Sequence, residues 1–457
     1  MLFFKIYTSI KLQLHPDEAY YWLWSQHLDL SYYDHPPMVA YFIKLTTLFS
    51  NSEFFVRLSS LICLLIVIYL IWKLTKEIFS PRTALLSVLI FVLYPFNIVS
   101  FMITPDIPLI LFWTMTVYFL YKSIKTGEMQ YWILAGITTG LTLLSKYSAI
   151  LLIIGLFIFL LTTKEYRIIL KKPYLYLFFI IAFIVFSPVI FWNYKHNWVS
   201  FIYQFNNGIS DITSYDFRNV FIFLSGQILT GGITFSIIGL ILGTINLFNK
   251  DNTMRFLSLF AILPFIFFTV SSIHKLAEAN WALPGFICMT LIISDYFIKN
   301  KTRIKNVLLG TSLGFCFILS IIMYSHALFR IIPVEKINRV WVLTDPTNWF
   351  YGWKEFANYI KPYQNIPVLP INIQLASELN YYWNKNGIIV SNDQEFKYLK
   401  FNELNKSNDC IAINYSSDVS TPKPDKNKFK EMKLQEIVKV KRGNHIIRNF
   451  YIYKCKT

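Results

Sequence analysis

Residues 131–163 read YWILAGITTGLTLLSKYSAILLIIGLFIFLLTT. The run is apolar throughout, apart from a break at Ser145-Lys146-Tyr147. A helix needs about 20 apolar residues to cross a bilayer, so one continuous helix of this length would overshoot it. Two short helices meeting near one membrane surface fit better, and they put Lys146 at the turn between them. Apolar stretches this long indicate spans rather than soluble core segments.

The rest of the chain agrees. Of its 457 residues, 55% are hydrophobic and only 15% charged, where soluble domains carry about 25% charged residues. Aromatics supply 18%, which suits membrane helices with Trp and Tyr at the interfaces. Further apolar runs lie near 54–72, 83–103, 107–121, 174–192, 220–248, 256–272, 282–298 and 307–328. With a short N-terminal piece at 1–14 they predict about eleven helices. Lys5 and Lys11 interrupt that piece and it lacks a small-residue cleavage site, so it is no cleavable signal. It reads as the remnant of a first membrane helix whose start lies upstream.

Charge sets the orientation. One group of loops holds Lys73, Lys76, Arg82, Lys122, Lys125, Lys164, Arg167, Lys171 and Lys172. The opposite loops hold Asp17, Glu18, Asp29, Asp34, Asp106, Asp211, Asp216 and Glu278. The positive-inside rule puts the first group in the cytoplasm and the acidic loops outside. The net charge of +17 thus orients the chain in a membrane, and it does not indicate a nucleic-acid partner.

After about residue 329 the composition turns polar and rich in Lys and Asn. Strands are predicted near 340–343, 366–369, 388–390 and 410–414, with a hairpin turning at Gly443-Asn444 and helices over 352–363 and 373–384. The expected organisation is a polytopic α-helical membrane domain over 1–329, with its first outer loop at about 15–53. A small extracytoplasmic α/β domain follows over 330–457. Cys63, Cys288 and Cys316 fall in apolar runs as packing residues. Cys410 and Cys455 could pair as a disulfide if the tail faces an oxidising compartment, though nothing in the sequence places them together.

Polar residues gather in the outer loops. The first reads HPDEAYYW from His15 and continues to SYYDHPP from Ser31, with Asp17, Glu18, Tyr20, Tyr21, Asp34 and His35. A carboxylate pair at a membrane surface can serve as base and metal ligand; the plain alternative is a solvated loop with aromatic anchors. Asp106, in TPDIP, is either a functional acid or a helix N-cap. Lys275, Glu278, Asn280 and Trp281 lie in a later loop, where Lys275 either binds phosphate or snorkels. Asn193 lies in another. Acids and bases at one face, above an apolar bundle, suit a lipid phosphate whose tail lies in the membrane.

At these residues the chain resembles the bacterial glycosyltransferase family 39-type enzymes of the GT-C superfamily. Their relatives include the protein O-mannosyltransferases and the aminoarabinose transferases of lipid A. The stretch HPDEAYYWLWSQHLDLSYYDHPPMVAYF carries the resemblance. TPDIPL, GLTLLSKYSAILL, FWNYKHNWVSF and EANWALPGF follow in family order, with GWKEFANYI and QLASELNYYW in the tail. The resemblance implies a GT-C fold and a polyprenyl (undecaprenyl) phosphate-linked sugar donor. It implies an inverting transfer to a lipid or glycan acceptor, such as lipid A, on the periplasmic face of a bacterial inner membrane. Asp17 becomes the catalytic base, with Glu18 beside it and Asp106 as second acid. Lys146, Lys275 and His35 become donor-phosphate ligands. Asp34 and His35 become candidate ligands for a divalent metal (Zn, Mg or Mn). Arg57 matches a family Arg, with a structural role as the alternative. Tyr20, Tyr21, Asn193, Glu278, Asn280 and Trp281 are further substrate-site candidates.

Other readings compete. A protein O-glycosyltransferase differs only in its acceptor. A transporter or lipid flippase would place ionisable residues near the midplane and show inverted repeats, and the sequence shows no repeat. A membrane-anchored binding protein would not need so many spans. The enzyme reading expects Asp17, Asp34 and Asp106 to converge on one cavity beside the outer leaflet.

Overall fold

The computed structural model describes residues 1–209, 215–334, 345–363, 365–383, 410–416 and 431–456. Among them, six helices are long and apolar enough to cross a membrane, or eight if each of two bent pairs counts as one span. The chain is a multi-pass membrane protein. The helix Glu53–Ile78 shows why. Cys63, Val67, Ile71 and Leu74 are buried at helical spacing, yet Ile62, Leu65, Ile66 and Tyr69 lie exposed. A helix apolar all round needs lipid on its outer face.

Two expected runs fold differently in detail, and a third folds as expected. The run at 83–103 is the helix Pro81–Leu93 followed by a 3-10 turn, Pro95–Ile98. Pro95 has no N–H to continue the ladder and biases Tyr94 away from helix. The run at 131–163 is broken as expected. The helix Met129–Leu143 ends before a 3-10 turn at Tyr147–Ala149, and the helix Ile150–Thr162 follows. The run at 220–248 is two helices, Phe217–Thr230 and Ile233–Asn246, bent by 110°. The bend falls at Gly231-Gly232, where Gly232 has φ +79° and a Cβ on Gly231 would strike Phe286 and Ser236. Gln227, buried just before the bend, donates to Ala279 O at 2.9 Å.

The chain divides into two compact units. The first comprises residues 1–5, 30–39 and 58–321. Its helices approach closely where small residues allow. A Cβ on Gly140 would meet Val185 at 2.5 Å, and one on Gly136 the Phe178 carbonyl at 2.8 Å. This is small-residue packing of the kind membrane helices use, and it seats Met129–Leu143 against Pro173–Lys195.

The second unit comprises residues 6–29, 40–57 and 322–457. It therefore takes in parts of the first outer loop as well as the tail, where the sequence suggested a single cut near 329. Among the described residues, a four-stranded sheet runs in the order β1 (Val368–Pro370), β2 (Cys410–Ser416), β4 (His445–Lys456), β3 (Glu431–Arg442). β1 is parallel to β2, and the other pairs are antiparallel. The hairpin turns at Gly443-Asn444, with φ +62° at Gly443, as a two-residue turn requires. The helices Trp353–Tyr359 and Ile373–Tyr382 complete the unit. Phe356 stacks on Phe450 at 3.7 Å between ring centroids. The strands expected at 340–343 and 388–390 lie outside the described residues.

The first-loop helix Pro16–Gln26 is built into this second unit. Gln13 Oε1 accepts from Trp353 N at 2.9 Å, and Gln13 Nε2 donates to Glu355 at 2.7 Å. Leu14 N donates to the Tyr382 hydroxyl at 2.8 Å. Trp22 packs edge-on against Tyr381, with centroids 4.9 Å apart.

Candidate active site

In the first unit, Asp106 is the first residue of the helix Asp106–Thr126, and its side chain makes no cap. The carboxylate instead accepts from residues far along the chain. Lys146 Nζ lies 2.8 Å from Oδ1, and Asn280 Nδ2 lies 2.8 Å from Oδ2. Both charged side chains are about nine-tenths buried. Lys146 reaches Asp106 because the break after Met129–Leu143 gives it an extended backbone, φ −159° and ψ 140°. His35 faces the same pair. Burial and the Lys146 cation push its imidazole down to about 3, against the pull of Asp106. A neutral imidazole offers a phosphate a hydrogen bond rather than a charge.

A hydroxyl cluster adjoins Lys146. The Tyr147 and Ser200 hydroxyls are 2.7 Å apart, and Ser31 Oγ is 3.5 Å from Tyr147. Sequence reasoning did not single out these three, although each lies in a stretch quoted above. A cavity of about 340 Å³ is lined by Asp106, Glu278 and Asn280 together with apolar Cys63, Leu64, Val67, Phe91, Ile110 and Leu283. Polar groups on an apolar slot suit a lipid-borne head group.

In the second unit, two adjacent carboxylates have different fates. Glu18 is fully buried, as is Arg57. Arg57 Nε donates to Glu18 Oε1 at 2.9 Å and Nη2 to Oε2 at 2.5 Å. Arg57 also donates to the carbonyls of Leu12 and Gln13, each at 2.7 Å. Such a desolvated bidentate pair holds geometry, so Glu18 is a positioning residue rather than an open acid. Asp17 is half-exposed. His15 caps the helix below it: His15 Nδ1 accepts from Asp17 N at 3.3 Å, and His15 N donates to Glu18 Oε2 at 3.0 Å. Burial holds the His15 imidazole below its ordinary value, against the charges of Asp17 and Glu18, which favours the neutral ring that can accept.

The remaining candidates are distributed as follows. Asp34 belongs to the first unit and Asp17 to the second; the backbone carbonyl of Asp34 accepts from Gln204. Asn193 is buried and bonds to backbone, donating to Val189 O at 3.0 Å and accepting from Phe201 N at 3.3 Å. It shapes a turn in which Asn197 and Trp198 have positive φ. Tyr20 and Tyr21 are buried and pack on Trp24. Trp281 packs on Phe268, and Lys275 and Glu278 are exposed. Among the described residues, no three His, Cys, Asp or Glu side chains gather as a metal-holding group. Asp34 and His35 supply two such donors. Sequence reasoning also passed over Glu378, which burial pushes well above the usual carboxylate range.

Comparison with known proteins adds the following. Residues 34–192 match the family model described as dolichyl-phosphate-mannose-protein mannosyltransferase. The lipid A galacturonosyltransferase RgtD of Rhizobium johnstonii is 23% identical over 285 residues, 60% of this chain and 59% of that protein. The chain thus matches about three fifths of the length of that curated relative. The crystal structure of ArnT from Cupriavidus metallidurans bound to undecaprenyl phosphate superposes with a TM-score of 0.69 at 15% identity, over 99% of this chain and 96% of that one. The same protein in the apo state gives 0.66 at 15% identity, over 98% and 95%. The chain has the fold of those structures, which is the GT-C fold expected from the resemblance.

Proposed function

We propose that this chain is an inverting glycosyltransferase of a bacterial inner membrane, moving a sugar from a polyprenyl-phosphate donor to a lipid acceptor of the lipid A class on the periplasmic side. The observation that carries the reading is the full-length fold match to a protein crystallised with undecaprenyl phosphate. The lipid A galacturonosyltransferase among its relatives supports the acceptor class.

Each unit holds groups suited to one part of such a reaction. Asp17, half-exposed on a helix start that His15 and Arg57 hold in place, takes the proton of an attacking acceptor hydroxyl. The new bond forms between the acceptor oxygen and the anomeric carbon. The bond from that carbon to the donor phosphate breaks, and polyprenyl phosphate leaves. In the first unit, Lys146 supplies positive charge for a phosphate, with Asp106 and Asn280 fixing its position. The apolar part of the neighbouring cavity takes a stretch of lipid chain.

A protein acceptor is the second reading, favoured by the family match over residues 34–192. Mass spectrometry of lipid A, total glycolipids and glycoproteins from a deletion strain beside its parent separates the two. A sugar mass missing from lipid A supports the first, and one missing only from glycoproteins supports the second. An unchanged set of glycoconjugates would reject both and favour a transporter.

A further inference from the structure

The structure assigns a modification site to the second unit. We propose that Cys410 and Cys455 are joined as a disulfide in the working protein, tying the C-terminal strand β4 to β2. The proposal rests on the periplasmic placement given under Proposed function, since thiols in a reducing compartment stay free.

Register carries the argument. Cys410 and Cys455 are directly opposed partners in the antiparallel β2–β4 ladder. Opposed residues in such a ladder share one face of the sheet. Ile411 N donates to Pro367 O and Ile371 N to Ile413 O, so odd-numbered residues of β2 turn their backbone groups toward β1. Even-numbered Cys410 therefore turns its own toward β4 and forms a hydrogen-bonded pair with Cys455. The Cα atoms of such a pair lie about 5.5 Å apart, inside the roughly 4.4–6.8 Å that a disulfide spans. The Cys410 side chain is also the main influence that pulls the Cys455 thiol below its ordinary value, against burial.

The surroundings favour closure. Both residues are buried in one apolar cluster with Ala412, Tyr451 and Tyr453, so a bond formed there is shielded from reductants. The other cysteines are dispersed, since Cys63, Cys288 and Cys316 lie on three different helices of the first unit. A buried lone cysteine is ordinary packing, whereas these two are register partners in one ladder.

Closure proceeds by exchange with a protein disulfide, the usual oxidant of such compartments. One thiolate attacks a sulfur of the incoming disulfide and gives a mixed disulfide. The second thiolate then displaces the partner. Two protons leave the cysteines, and two electrons reduce the incoming disulfide to two thiols.

The test uses the full chain in its own membrane. Cells are lysed in excess N-ethylmaleimide, and the protein is digested without reduction and analysed by mass spectrometry. The expected result is a Cys410–Cys455 peptide pair lighter by two hydrogens than the free thiols, with Cys63, Cys288 and Cys316 alkylated. Alkylated Cys410 and Cys455 would overturn the proposal. A second arm then locates the failure: the reduced, detergent-purified protein is incubated with oxidised glutathione. Rapid closure there would uphold the register and reject the periplasmic placement, and no closure would reject the pairing itself. Cys410→Ser serves as a control in both arms, since it removes the linked pair without touching the other thiols.

Discussion

Asp106 in the first unit and Asp17 in the second are both carboxylates in the opening turn of a helix. Asp106 is nine-tenths buried, with Lys146 on one oxygen and Asn280 on the other. Asp17 is half-exposed, and its neighbour Glu18 absorbs the buried cation instead. The difference separates two jobs that a sequence cannot distinguish. A carboxylate saturated by fixed donors holds other groups in place, and one left open beside a rigid frame can exchange a proton with a substrate.

Four changes would break or sharpen this contrast. The largest effect is expected for Asp17→Asn. Sugar transfer should fall by about 10²–10⁴-fold, the usual weight of a general base, while thermal stability in detergent stays within about 0.5 kcal/mol. Near-normal turnover by this variant would remove Asp17 from the chemistry. Glu18→Gln should act in the opposite sense, costing about 3–5 kcal/mol because Arg57 is left buried with its charge uncompensated. Its unfolding midpoint reports this, and adding Arg57→Met should restore part of the loss; a stable single variant would contradict the positioning role. Asn280→Ala should cost about 1.5–3 kcal/mol, the weight of a hydrogen bond to a charged group. Its loss of transfer should be smaller than that of Asp17→Asn, and the ratio of the two rates tests which carboxylate is reactive.

The smallest effect concerns pH. The folded His15 titrates below its ordinary value of 6.5, so its neutral, capping form is fully present above pH 6.5. Its contribution is lost as pH falls through the lower folded value. Activity and stability of the parent should therefore decline on the acid side. His15→Asn keeps a side-chain cap acceptor and should hold activity within about twofold at pH 7 while flattening that decline. An unchanged acid limb would show that His15 does not set it.

Much of the architecture could be read from hydropathy, because lipid-facing helices need apolar residues on every side and Lys146 breaks a run too long for one crossing. What escaped has a physical reason in each case. Gly231-Gly232 turns the chain without any polar interruption, so the run around it reads as one helix. Glu18 looks like a second acid because Arg57, its partner, lies 39 residues away at no helical or strand spacing. Asn280 is 174 residues from Asp106, and only the fold brings them together. The first-loop helix reads as part of the membrane domain because nothing local announces that Gln13 will bond to Trp353.

The bend at Gly231-Gly232 also links membrane thickness to chemistry. A straight helix over 217–246 would be about 45 Å long at 1.5 Å per residue, against a hydrocarbon core of about 30 Å. The hinge lets this run fit, and a thinner or thicker bilayer would strain it first. Gln227 stands four residues before the hinge and grips the carbonyl of Ala279, the residue beside Asn280. Reconstitution in short- and long-chain lipids should therefore shift the rate of sugar transfer without any change in sequence, through the hold that Asn280 has on Asp106.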